Sequence, residues 1–133
     1  MIMELIKWGK DYEIGVAAMD EQHKKWIGII NKFYDTIGKS DMKKNLELTI
    51  NEVLEYTKYH FSEEEKFMES IGFSELENQK SMHKALTEKM IGFKNRIVNS
   101  ESLMSVSVTN ELKDWLNNHI KVEDKKYAEF YLK

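Results

Sequence analysis

Six polar residues of this chain recur at helical intervals among apolar ones: His23, His60, Glu64, Gln79, His83 and His119. His60 and Glu64 are four residues apart, as are Gln79 and His83, so each pair projects from one helix face as neighbours. A lone histidine on an apolar stripe is usually a hydrogen-bonded core residue. Here all four histidines of the chain fall on stripes. If a stripe covers roughly 3/7 of helical positions, chance does this about 3% of the time. Glu64 adds to the pattern, because a carboxylate is almost never fully buried unless paired or bound to metal. The bland alternative for Glu64 is a stripe-edge position beside Glu63 and Glu65 in an acidic run. Inward imidazoles with carboxylates suit iron, manganese or zinc in the core of a helix bundle. A single zinc takes about four ligands, fewer than are present here, whereas two metals bridged by carboxylates use them all. The ferritin-like dimetal pattern needs two Glu-x-x-His motifs, and the chain has none. A histidine-rich site with bridging carboxylates is the other option.

The elements that must position these residues are helices. With no Pro and only 6 Gly, the chain has few interruptions, at Gly38-Lys39-Ser40-Asp41, Gly72-Phe73-Ser74 and Asn99-Ser100-Glu101-Ser102. Between them lie four segments of helical length, after an N-terminal arm of about the first 18 residues. Each carries a stripe of period 3.6. The first runs Met19, His23, Trp26, Ile27, Ile30, Phe33 and Ile37, with Asp20 placed to cap it. The second is Leu46, Ile50, Val53, Thr57, His60, Glu64, Phe67 and Ile71, followed by Gly72 as a C-terminal cap. The third opens on Ser74-x-x-Glu77, a capping-box pattern, and continues Leu76, Gln79, His83, Leu86, Met90, Phe93 and Ile97. The fourth reads Val108, Leu112, Trp115, Leu116 and His119, then Val122 and Tyr127 at a less regular step. These features predict an all-α fold: an antiparallel up-and-down four-helix bundle with an extended N-terminal arm, one domain over 1–133.

Composition narrows the function classes. The 133 residues carry 20 Lys+Arg against 23 Asp+Glu, which argues against nucleic acid or an anionic membrane as partner. Zero Cys removes thiolate nucleophiles, iron–sulfur clusters and Cys-based zinc sites together. The longest stretch without a charge, Ser102 to Asn110, is far short of the ~20 apolar residues of a membrane span. No basic region followed by an apolar run marks a signal peptide, so a cytoplasmic protein is expected. The lysine pairs Lys24-Lys25, Lys43-Lys44 and Lys125-Lys126 read as solvated helix faces.

Over nearly its full length the chain resembles bacterial hemerythrins. The resemblance rests on Trp8 in the arm, Met19-Asp20-Glu21-Gln22-His23 opening the first helix, His60-x-x-x-Glu64 on the second, and Trp115-Leu116-x-x-His119-Ile120-x-x-x-Asp124 on the fourth. It implies two non-haem iron ions, oxo- or hydroxo-bridged, that bind dioxygen reversibly for storage, delivery or sensing. The alternative it leaves open is a peroxidase, or a peroxide or nitric-oxide scavenger, working with the same centre. An oxygen-binding protein is the preferred expectation over an enzyme. In the family pattern one iron takes His23 and His60 and is the one open to dioxygen. The other takes positions 79, 83 and 119, while Glu64 and Asp124 bridge. The resemblance also implies a dry pocket lined by Trp26, Phe61, Trp115, Leu116 and Ile120, although large apolar residues on bundle stripes are mostly core whatever the function. Trp26 is larger than the Leu or Phe expected at its place.

Two positions depart from simple expectation. Asp124 lies five residues after His119, about 140° round an ideal helix, whereas Glu123 at four shares its face. Spacing selects Glu123 and the family pattern selects Asp124; both His119 and Asp124 can face inward only through a local π-type turn. At position 79 the family has histidine and this chain has Gln79. An amide oxygen is a poorer donor than imidazole. Gln79 can ligate through it, water can take the position, or that iron is held loosely and lost.

Overall fold

The computed structural model describes residues 5–36, 42–98 and 106–133, and the side chains of all of these except 36, 42–46, 97–98 and 106–111. The breaks expected at 38–41 and 99–102, and Ile37, lie outside the described residues, as do the side chains of Leu46, Ile97 and Val108. Four helical rods form the bundle: α1 (Ala17–Thr36), α2 (Met42–Ser70), α3 (Leu76–Val98), and a fourth built from α4 (Val106–Asn118), a π-helical turn (His119–Asp124) and α5 (Lys125–Leu132). No strand occurs among the described residues. Helix α2 packs against both α1 and α3. The stripes meet in one core that includes Ile27, Ile30, Phe33, Ile50, Val53, Leu86, Met90 and Leu112, all buried.

Helix α2 ends as its sequence predicts. Gly72 takes φ +68, the Gly72 N–H donates to the Glu69 carbonyl, and the Phe73 N–H reaches back to that of Met68. This double bond pattern satisfies carbonyls that would otherwise be orphaned, and Gly carries no Cβ to object.

Three local expectations are corrected. Asp20 does not cap α1. Its carboxylate accepts from the Ile14 and Gly15 N–H groups at 2.7 and 3.2 Å, pinning the turn that delivers the arm to the helix. Ser74 is not at a cap, because α3 starts only at Leu76, after a turn closed by Leu76 N–H to the Phe73 carbonyl. Val122 is 49% exposed, since the wider π turn rotates it off the inner face.

The arm is held by side chains distant in sequence. Asn31 Oδ1 accepts from the Leu5 and Ile6 N–H groups, and its Nδ2 donates to the Ile6 carbonyl. Further along, a 3-10 turn (Lys10–Tyr12) lies against the π turn. The Tyr12 hydroxyl donates to Asn117, while Lys121 pairs with Asp11 at 2.7 Å and sits over the Tyr12 ring. Asn31→Leu leaves three buried backbone groups unpaired and is expected to cost about 2–3 kcal/mol. The denaturant midpoint reads that loss, and an unchanged midpoint would show the arm to be dispensable.

Candidate metal centre

The inward faces of all four rods deliver polar side chains to one buried place. His23 comes from α1, His60 and Glu64 from α2, Gln79 and His83 from α3, and His119 and Asp124 from the two ends of the π turn, each at most 2% exposed. The π turn expected over 119–124 is present, and it brings together two residues that a regular helix would set apart. Glu123, the choice of simple spacing, stays outside the cluster and pairs with Lys126 at 3.0 Å.

The donors fall into two sets with the carboxylates between them. Glu64 Oε2 lies 3.3 Å from His23 Nε2 and 3.4 Å from His60 Nε2, while its Oε1 lies 2.9 Å from His83 Nε2. Asp124 repeats the arrangement, with Oδ2 3.1 Å from His23 Nε2 and Oδ1 3.1 Å from His119 Nε2. Each carboxylate therefore sends one oxygen toward each histidine pair. Glu64, His83, His119 and Asp124 offer ligand atoms all within 4.8 Å of one another, as do His23, His60 and Glu64.

Outer partners fix which nitrogens face inward. His60 Nδ1 lies 2.8 Å from Gln22 Oε1, and His83 Nδ1 lies 2.8 Å from Glu65 Oε2. Both partners are acceptors, so each Nδ1–H donates outward and each Nε2 is turned toward the carboxylates. Imidazole nitrogens and carboxylate oxygens converging in a buried site are a donor set suited to a cation. His60 Nε2 and Gln79 Oε1 are also buried without a hydrogen-bond partner. Buried polar atoms are almost always satisfied, and ligation to a cation would satisfy these. The Gln79 orientation is set by two acceptors: Nε2 donates to the Glu123 carbonyl at 3.1 Å and to Asp124 Oδ1 at 3.3 Å, which leaves Oε1 as the free atom.

Protons balance the charge when no cation is bound. Burial depresses the His23 pKa, but hydrogen bonds to Asp124 and Glu64 outweigh it and push it up to about 9. Burial opposes protonation of His119 too, yet the charge of Asp124 and bonds to both carboxylates lift it to about 10. For His60, burial prevails and the pKa is lowered. Burial alone would raise Glu64, but the surrounding histidines hold it well below the ordinary carboxylate range.

The five aromatic and aliphatic residues expected to line a pocket are placed as follows. Trp26 is buried 5.1 Å from the His60 ring, with its indole N–H donating to Thr57 Oγ1 at 2.9 Å. Phe61 stacks on His83 at 3.7 Å and 3°, so it braces the second histidine pair while still meeting Trp26 edge-on. Trp115 stacks on His119 at 4.4 Å and is partly exposed. Leu116 and Ile120 are fully buried.

Three participants were not singled out from sequence. Gln22 and Glu65 flank His23 and Glu64 by one residue, off the inner face, and touch the outer edges of histidines on other positions. Tyr127, three residues after Asp124, is fully buried and donates its hydroxyl to Glu64 Oε2 at 2.7 Å. Burial and the Glu64 charge raise its pKa well above 10.

Comparison with known proteins agrees with this geometry. Residues 14–131 match the hemerythrin HHE cation binding domain. A bacteriohemerythrin of Stenotrophomonas maltophilia is 30% identical over 128 residues, covering 96% of this chain and 82% of that protein. A myohemerythrin of Theromyzon tessulatum is 28% identical, over 95% of this chain and 93% of that one. The crystal structure of a wild-type hemerythrin superimposes with a TM-score of 0.86 at 25% identity, over 94% of this chain and 96% of that one. A match spanning the whole bundle, over a cluster of inward histidines and carboxylates, places this chain in the hemerythrin family of cation-binding helical bundles.

Proposed function

We propose that this protein holds two non-haem iron ions and binds dioxygen reversibly. The observation that carries this reading is the division of each carboxylate, with Glu64 and Asp124 both turning one oxygen to His23 and the other toward the His83–His119 pair. His23 and His60 would hold one iron, and His83, His119 and Gln79 Oε1 the other, with Glu64 and Asp124 shared. When bound, the two irons supply the electrons that dioxygen capture requires. The chain supplies the enclosure. Trp26, Phe61 and Trp115 pack against the histidine rings, Leu116 and Ile120 are buried in the same core, and the Trp26 N–H is already committed to Thr57. That environment withholds water and protons from the captured gas. The names of the bacteriohemerythrin and myohemerythrin relatives point the same way.

An absorption spectrum tests the proposal. Iron-loaded protein, reduced and then exposed to air, should gain charge-transfer bands that fade under vacuum, with two irons per chain. One metal or none, and no such bands, would defeat it.

Gln79 favours a second reading, peroxide or nitric-oxide scavenging at the same centre. With an amide where an imidazole would give stronger donation, the second iron is less firmly held and its position more exchangeable. Gln79→His is expected to raise iron retention and lengthen the life of the oxygen-dependent absorption. Equal occupancy and equal lifetime in both proteins would remove this reading, and peroxide consumption with an electron donor measures it directly.

A further inference from the structure

We infer that Glu65 is a positioning residue for the second metal position, strengthening His83 there to offset the imidazole that Gln79 does not supply. The inference rests on the two-metal reading above. Among the four inward histidines the outer nitrogens are treated unequally. Those of His23 and His119 are buried without a partner, that of His60 meets the neutral amide oxygen of Gln22, and that of His83 meets a carboxylate at 2.8 Å. A carboxylate accepting from Nδ1–H draws that proton outward and makes Nε2 a stronger donor, the effect known from carboxylate–histidine–metal triads. The carboxylate falls on the pair that contains Gln79, whose Nε2 bonds the same Asp124 oxygen that faces His119. Phe61 stacked flat on the His83 ring fixes its plane, and Glu65 fixes its rotation within that plane.

The position also permits a clean test. Glu65 is 27% exposed and borders a groove of about 510 Å³ between α2 and α3, also lined by Ser62, Lys66, Glu69 and Lys84. Glu65→Gln keeps the size and an acceptor oxygen and removes only the charge; Glu65→Ala removes the acceptor. Glu69→Gln, on the same groove, is the control.

Iron(II) binding to the full chain, measured anaerobically against a competing chelator, should weaken about 10- to 100-fold for the second ion in Glu65→Ala. Glu65→Gln should fall between that and the wild type, and Glu69→Gln should match the wild type. The reduction potential of the iron-loaded protein should rise in Glu65→Gln, which keeps the size of the side chain and so its packing. In a Gln79→His background the loss caused by Glu65→Gln should shrink. If the wild type binds two ions and Glu65→Gln and Glu65→Ala bind the second as tightly with the same potential, the inference is overturned and the two-metal reading stands. If the wild type binds fewer than two, both fall. An undiminished loss in the Gln79→His background overturns the offsetting role.

Discussion

Loading the metal-free protein with two divalent ions at pH 7 is expected to release about two protons, and affinity for the pair should rise roughly a hundredfold from pH 7 to pH 8. The protons are those of His23 and His119, whose pKa values of about 9 and about 10 leave both rings charged at neutral pH. A metal ion needs the neutral imidazole, so each ring must give up its proton to bind. One proton per ring makes the binding constant for the pair vary tenfold per pH unit per ring. Above pH 10 the release should fall toward zero. Stability of the metal-free fold moves the other way. Both folded-state values lie above the ordinary 6.5, so the stability these rings contribute is complete below about pH 6.5 and is lost as pH rises through 9 and 10. Alkaline solution should thus loosen the empty bundle while tightening its hold on metal. Calorimetry with manganese(II) in buffers of different ionisation enthalpy counts the protons directly. Release near zero at pH 7 would show that the two rings are neutral and that the carboxylates are balanced in another way.

Much of the bundle could be read from the sequence because it depends on local periodicity. The stripes of α1, α2 and α3 carry His23, His60, Glu64, Gln79 and His83 inward at the expected turns, and Gly72 stops α2 where it should. Asp124 could not be read that way. Regular spacing points to Glu123, and only the resemblance to hemerythrins selected Asp124. What makes the difference is a π turn, and contacts on it and just before it come from the other end of the chain: Asp11 to Lys121, and Tyr12 to Asn117. No window of local sequence contains both halves of those pairs. Gln22 and Glu65 escaped for a related reason. They stand about 100° off the stripe, where a polar residue reads as solvated, yet a long side chain there reaches the outer edge of a ring on the next helix. Ser74 shows the converse, a capping pattern overridden because the Schellman turn after α2 delays α3 to Leu76.

Asp124→Asn should be the most damaging single change at the centre, and Glu123→Gln beside it nearly silent. Asp124 is fully buried, and its oxygens serve both histidine sets and the Gln79 amide. Asparagine keeps the shape but removes the anion, and its amide nitrogen must face either His23 or His119, a donor turned toward a donor. In the metal-free protein two protonated rings would then share Glu64 alone. Removing one partner from a buried charge network costs about 3–5 kcal/mol. The same loss in metal binding corresponds to roughly 10²- to 4 × 10³-fold, enough to reduce two bound ions to one or none at micromolar metal. The pH dependence separates a charge effect from a packing defect. If the missing anion is the cause, the stability deficit of Asp124→Asn should shrink as pH rises past 10, where His23 and His119 lose their charge and need no counterion. A packing defect would leave the deficit constant. Glu123 is held to Lys126 at the surface side of the π turn and touches the site only through its backbone carbonyl, so Glu123→Gln should retain both ions. Two-metal binding by Asp124→Asn, or its loss in Glu123→Gln, would return the shared carboxylate to the position that regular helical spacing selects.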